Sequence, residues 1–275
     1  MSRIYTRKST NFEAPSVTTF LGAVNKPALV NWSARVEREA VIEAAKALYE
    51  TLVNQKEWMT LLAYEGSLVS YIGRTKEYQK VLAEAGDIGT EIHDLIDWET
   101  RRRIAKLGTT AGQRPKARPV AEIAFQKWLK WADEVQFSPV YIEQPVWNQK
   151  DGYAGRIDFT ANLTFDGETV YCLGDYKSGK SIYIEALMQV AAYREAIRGM
   201  GHKVPDKAVI VRLPKTETDP EPEMRVLHST ELDEHFETFR AVQRLYLWMK
   251  KWDTWKKPIK PQVVELPPEE KQYPF

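Results

Sequence analysis

The sequence has a single cysteine, Cys172, in 275 residues. One thiol cannot build a disulfide framework, a cysteine zinc site or an iron–sulfur cluster, and it fits a reducing compartment. Long apolar runs are also missing, since none approaches the ~20 residues of a membrane span. Neither sign of charge dominates. Lys and Arg number 39 against 38 Asp and Glu, a net charge of +1. Composition therefore neither requires nor excludes a polyanionic partner, because a local basic groove can hide in a neutral total. The stretch MSRIYTRKSTNF is basic and hydroxyl-rich without an apolar centre, so it is no secretory signal. A mitochondrial presequence is the weaker alternative.

What is present is apolar and aromatic. The chain is 43% hydrophobic, with 9 Trp, 13 Tyr and 9 Phe, enough for a sizeable core in one large domain or two small ones. Residues 1–15 read as a flexible start, after which Ser16 or Thr18 can cap a short helix. Helix formers run from Asn31 to Asn54, with a stripe of Val36, Ala40, Ile42, Ala44, Ala47, Leu48 and Leu52. Leu61–Ile72 and Lys76–Ala85 continue the helical reading until Gly86 breaks it. A new helix is expected from Asp87 or Thr90 through Trp98, with Ile88, Ile92, Leu95 and Ile96 buried and His93 beside that stripe. Arg101, Arg102, Arg103, Lys106, Arg114, Lys116 and Arg118 then form a basic loop or arm. Glu122–Glu134 is helical and Val140–Trp147 alternates as a strand.

Two alternating runs, Ile157–Phe165 and Glu168–Tyr176, flank Asp166-Gly167. That dipeptide is a strong hairpin signal, because a type I′ turn needs positive φ at both central residues. Carried outward, this register sets Asp158 opposite Asp175, with Cβ atoms roughly 5 Å apart. Lys177 points to the same face as Asp175. Ile157, Phe159, Leu163, Phe165, Val170, Cys172 and Tyr176 take the other, core face. Beyond the hairpin, Ser181 is expected to cap a helix from Ile182 to Arg198, ended by Gly199 and Gly201. Strands follow at Lys207–Leu213 and Met224–His228, then a helix at Leu232–Trp255 and an extended tail. The order predicts an α/β fold: a central mixed sheet with an antiparallel hairpin, flanked by helices, behind a helical N-terminal part. The expected divisions are one domain over 16–256, with a helical front at 16–134, an α/β core at 87–228 and a C-terminal helix at 232–255. The tail covers 257–275.

Opposed aspartates on a solvated sheet face repel each other, and that bland arrangement is one reading of Asp158 and Asp175. The other places a hard cation between them, with Lys177 beside it to hold or deprotonate the attacking water and stabilise charge. His93 by itself reads as a satisfied core histidine. Glu143 and Asp97 could join such a site, but a charged surface role is the safer reading for both.

Gly155-Arg156-Ile157-Asp158 followed by Asp175-Tyr176-Lys177 resembles the PD-(D/E)XK nuclease core. The version is the RecB-like one of phage and bacterial exonucleases, in which a Gly-x-x-Asp strand replaces the literal Pro-Asp. Gly89-Thr90-Glu91-Ile92-His93 resembles the family's Gly-Thr-x-x-His helix. Ser178-Gly179 matches the turn after the lysine, and Gln189 with Tyr193 matches the Gln-x-x-x-Tyr helix. The resemblance covers residues 89–193 and implies a restriction-endonuclease-like core. It implies that His93, Asp158, Asp175 and the Tyr176 carbonyl hold one or two Mg²⁺ or Mn²⁺ ions. By the same resemblance Lys177 positions the attacking water, and Gln189 and Tyr193 contact that water or the phosphate. Members with an iron–sulfur cluster need four cysteines, which this chain lacks. It carries no helicase motifs, so it would be a free-standing nuclease or would borrow its motor from a partner, with a helicase, recombinase or single-strand-binding protein as the candidate kinds. The expected location is cytoplasmic, in a bacterial or phage-infected cell.

The same stretch spells a second pattern. Gly174-Asp175-Tyr176-Lys177-Ser178-Gly179-Lys180-Ser181 matches G-x-x-x-x-G-K-S, which would make the chain a P-loop NTPase. An aspartate beside the phosphates, and Arg212 where a Walker B acid would end the later strand, count against it. A third reading keeps the nuclease fold as a DNA-binding module without activity. If the chain cuts DNA, Arg101, Arg102, Arg103, Arg114, Lys116 and Arg118 contact phosphates or form an arch over a single strand; the equal alternative is a solvated charge run that stabilises a loop. Tyr193 would touch the same substrate, and Trp128, Trp131 or Trp147 would be available for stacking bases. An exonuclease on ends or single strands fits better than a sequence-specific endonuclease.

Overall fold

The computed structural model of the chain describes residues 3–7, 10–24, 27–55, 61–72, 76–105, 112–219, 221–252 and 262–265. It divides into two compact units, residues 1–24 with 91–275, and residues 25–90. The smaller unit holds α2 (Pro27–Gln55), α3 (Leu61–Ile72) and the first part of α4 (Glu77–Ala105). Tyr78 N–H, at the start of α4, donates to Glu37 of α2 at 3.2 Å. Gly86 does not break the helix as expected, because α4 continues through both Gly86 and Gly89. One glycine in a helix costs about 1 kcal/mol relative to alanine, and the helix formers on both sides outweigh that.

The larger unit is a mixed α/β structure. Five strands, β3 (Ser138–Asn148), β4 (Tyr153–Phe165), β5 (Glu168–Lys177), β6 (Lys207–Arg212) and β7 (Glu223–Leu227), form one sheet in that order. Only β5 and β6 run parallel, and they are joined through α6 (Ile184–Gly199). The hairpin forms as its turn chemistry dictates: Asp166 and Gly167 have φ of 54° and 78°, and the expected register holds from Phe165–Glu168 to Phe159–Gly174. α6 begins three residues after Ser181, and its N-cap is Tyr183 without a side-chain cap, so Ser181 is not the cap expected. α5 (Pro119–Glu134) covers one face of the sheet, while α6 and α7 (Ser229–Trp252) build the cluster on the other.

Three tryptophans expected to be free for stacking are core residues instead. Trp128 and Trp131 pack against Phe137 and Tyr176. Trp147 lies under the Arg7 guanidinium, in a buried group with Tyr5 and Phe12. Aromatic area of this size is worth most when it is buried.

The chain start is not flexible as expected. β1 (Arg3–Arg7) and β2 (Phe12–Pro15) pair antiparallel, and β8 (Gln262–Glu265), from the expected tail, pairs parallel with β1. Tyr5, Phe12 and Ala14 give this small sheet a buried face of its own, which a reading for long periodic runs misses. Ser16 does cap α1 (Val17–Leu21), accepting from Thr19 N–H at 3.1 Å. The rest of the tail lies outside the described residues, as does Lys106.

Gly174 leaves room for the Phe159 ring, since a Cβ there would sit 1.7 Å from the ring carbon Cζ. Gly174→Ala is expected to lower stability by about 1–3 kcal/mol through overpacking. Urea unfolding midpoints measure the loss, and an unchanged midpoint would show that the ring moves aside freely.

Candidate active site

Strict alternation would put Gly155, Ile157 and Phe159 on one face of β4. They are split. A Cβ on Gly155 would lie 2.4 Å from the Tyr193 ring of α6, and Ile157 belongs to the α6-side cluster. Phe159 packs against Trp131 of α5. The strand therefore changes face at Asp158, which corrects the single core face expected for Ile157 and Phe159. On β3, the ladder pairs Ile142 with Phe159 and Gln144 with Ile157, skipping Glu143 and Asp158 between them. Glu143 takes φ of 50°, a left-handed conformation that is costly for a side chain with a Cβ and recurs at functional sites.

The kink decides where the carboxylates go. The β4–β5 ladder stops at Phe159–Gly174, and the Asp158 carboxylate accepts from Tyr176 N–H at 2.7 Å. A strand residue directs its N–H and its C=O to the same side, so the Tyr176 carbonyl also points toward β4. On the α4 side, His93 Nδ1 lies 3.8 Å from Asp158 and 3.9 Å from Glu143. Potential ligand atoms of His93, Glu143 and Asp158 all fall within 4.8 Å of one another. Ligands on one small divalent ion, each at about 2.1 Å, stand about 3–4 Å apart. They line a recess of about 10 Å³ with Asp97, Thr100 and Tyr176, roughly the room for one water or ion. The nitrogen and oxygen donors, their spacing and this volume fit a divalent metal.

Asp175 is not in that cluster. It is 2% exposed, and its carboxylate lies 2.6 Å from Lys177 Nζ. Lys177 Nζ also donates to Gln189 Oε1 at 3.1 Å, and Gln189 Nε2 donates to Tyr193 Oη at 3.3 Å. Tyr193 fits only because Gly155 has no side chain. A relay thus runs from Asp175 through Lys177 and Gln189 to Tyr193 on the α6 side, and the metal-type cluster faces α4. Asp158, in the opening between β4 and β5, is where the two meet.

Charge makes the two groups interdependent. Burial opposes a charge on His93, but Asp158 and Glu143 outweigh it and push its pKa up to about 9. Burial raises the Asp158 carboxyl and the Asp175 charge adds to that, against the pull of His93 and Lys177. Burial likewise opposes a charge on Lys177, yet Asp175 and Asp158 hold its pKa above the ordinary lysine value. Lys177 is therefore an ammonium at neutral pH, able to donate hydrogen bonds but not to take up a proton.

The described residues of the basic stretch are largely compensated by acids. Arg101, Arg102 and Arg103 belong to α4. Arg101 pairs with Asp97, while Arg102 and Arg103 share the buried Glu99. Arg114 forks onto Glu122, and Arg118 reaches Glu91. Lys116 is exposed.

The Walker-type reading fails on geometry. Gly174, Asp175, Tyr176 and Lys177 are strand residues paired with Val209, Ile210, Val211 and Arg212 of β6. A phosphate-cradling loop needs those backbone N–H groups free and a helix starting at its end, and α6 starts beyond it. Sequence reasoning undervalued Glu143. Its one signal was alternation next to the Gly-x-x-Asp strand, which does not reveal a kink.

No protein-family model matches the chain, and no curated protein does. Solved structures align with it loosely. One, from Eubacterium rectale and named "Putative exonuclease", shares 13% identity over 66% of this chain and 77% of that chain, with a TM-score of 0.37. Another, SSO0001, shares 10% identity over 58% and 74% of the two chains, with a TM-score of 0.29. Similarities this loose carry no argument about activity. No helix among the described residues is long and apolar enough to cross a membrane.

If Glu143 is a ligand, Glu143→Gln weakens divalent-ion binding by at least about tenfold. Calorimetric titration with Mn²⁺ measures this, and an unchanged affinity would remove Glu143 from the site.

Proposed function

We propose that the chain is a divalent-metal-dependent DNA nuclease, an exonuclease acting on ends or single strands. The observation that carries this reading is the kink at Asp158, which joins a His93–Glu143–Asp158 cluster to the Asp175–Lys177–Gln189–Tyr193 relay. Hydrolysis of a phosphodiester needs charge stabilisation on the phosphoryl oxygens and an oriented water, and a metal-type cluster beside a lysine-centred relay is suited to supply both.

In this reading His93, Glu143 and Asp158 hold Mg²⁺ or Mn²⁺, with the Tyr176 carbonyl directed to the opening between the strands and Asp175 beside them on the relay side. When bound, the ion supplies positive charge at the phosphate and acidifies a water. Lys177 keeps its proton, orients the attacking water through N–H donation and offsets charge that develops on the phosphate. Gln189 fixes the Lys177 ammonium, and Tyr193 fixes Gln189. Arg101 would contact a phosphate beside the recess, because its partner Asp97 lines that recess. Arg102, Arg103, Arg114, Lys116 and Arg118 extend the basic surface; the part-exposed pairs of Arg114 and Arg118, worth about 0–1 kcal/mol, exchange for phosphate more readily than Arg102 and Arg103, which are held on the buried Glu99. A partner helicase, recombinase or single-strand-binding protein would supply a substrate end in recombination, replication or repair. A binding module without activity has no need of the Lys177 relay beside the cluster, and that favours the active reading.

The test compares wild type with Lys177→Ala on end-labelled single- and double-stranded DNA in Mg²⁺, Mn²⁺ or EDTA. The wild type is expected to shorten labelled ends only with a metal, and the variant to be slower by about 10²–10³-fold. Equal cleavage by the variant would sink the mechanism. Internal fragments in place of end products would replace the exonuclease with an endonuclease.

A further inference from the structure

α7 and the β3–β4 turn enclose an open groove of about 620 Å³, away from the metal-type cluster. The helix is tied to the turn where Gln243 Nε2 donates to the Asp151 carbonyl at 2.7 Å. Lys150 lines the groove from the turn, and Arg240, Arg244, Trp248 and Lys251 line it from α7. Arg240 is occupied by Glu237 and Asp151. Arg244 and Lys150 are exposed and form no ion pair among the described residues.

Arg244, Trp248 and Lys251 fall at i, i+4 and i+7 along one stripe of α7, about 10 Å from end to end. Trp248 is 57% exposed, a large ring set between cations. An apolar partner would bury those cations at a cost, and an acidic peptide would use them but leave the ring idle. Single-stranded nucleic acid matches both features, with phosphates for the cations and bases for the ring. We propose that this groove binds a single-stranded nucleic-acid segment, with phosphates on Arg244 and Lys150 and a base stacked on Trp248. This deepens the nuclease reading and rests on it: the turn lies about 20 Å along the β3–β4 hairpin from Asp158. A strand held there is held while its end is cut.

The test is fluorescence anisotropy with a labelled oligothymidylate in EDTA, which separates binding from cleavage. Trp248→Ala is expected to weaken binding about tenfold. Lys150→Glu with Arg244→Glu is expected to weaken it further and to flatten the salt slope by about 1.4 for two lost phosphate contacts. All three positions are exposed, so the fold should survive, and thermal melting checks that it does. Wild-type binding by both variants across the salt titration overturns the groove assignment, as does displacement of the oligonucleotide by polyglutamate at equal charge. Oligothymidylate bound through these residues by a chain that never cuts DNA supports the groove and refutes the nuclease reading. Normal cutting with normal binding by the variants does the reverse.

Discussion

The hydrogen bond from Tyr176 N–H to the Asp158 carboxylate organises everything around it. A β-ladder normally satisfies such a donor with a backbone carbonyl, and a side chain can take over only where the partner strand has turned away. Here β4 turns at Asp158, so that Gly155 and Ile157 face α6 and Phe159 faces α5. The same departure leaves Glu143 without a ladder partner and brings it to His93. The irregularity at Asp158 thus collects donors from β3, β4 and α4, with a lysine-centred relay just beyond. Left-handed backbone at a residue with a side chain is a strain that packing must hold. The buried Phe159, Trp131 and Tyr176 around it supply that packing.

Charge and burial act against each other in this centre. Three acids, one histidine and one lysine share a largely enclosed volume, and no arrangement of protons satisfies them all. His93 is driven to hold a proton by the same carboxylates whose own protonation burial favours. A divalent cation would relieve the conflict, because it neutralises the acids without needing the imidazole proton. The relay side is more nearly balanced, since the Lys177 ammonium has both Asp175 and Gln189 as partners.

Much of the fold was legible because local chemistry set it. Asp166-Gly167 fixed a turn and therefore a register, and Phe159–Gly174 follows from counting outward. The relay was legible only as separate residues, and its order, Lys177 to Gln189 to Tyr193, needed α6 in place. What stayed hidden was tertiary. Alternation assumes a strand keeps its faces, so it could not show Ile157 and Phe159 parting, nor promote Glu143 from a surface acid. Trp128, Trp131 and Trp147 look alike in sequence whether they stack on bases or fill a core. Gly86 has the composition of a helix end, but its neighbours on both sides outvoted it. The short strands β1, β2 and β8 carry too few residues for periodicity to register.

The pairing of β1 with β8 bears on how the chain is made. Arg3 and Gln262 are neighbours in the sheet although nearly the whole length of chain separates them. Contacts so remote in sequence form late, after their loop entropy has been offset elsewhere. During synthesis, then, β1 leaves the ribosome early and its outer edge stays open until Gln262 to Glu265 have been translated. An open edge invites pairing with another strand, and charged residues along it discourage that. Arg3, the exposed residue at the start of β1, puts a charge beside that edge in the interval.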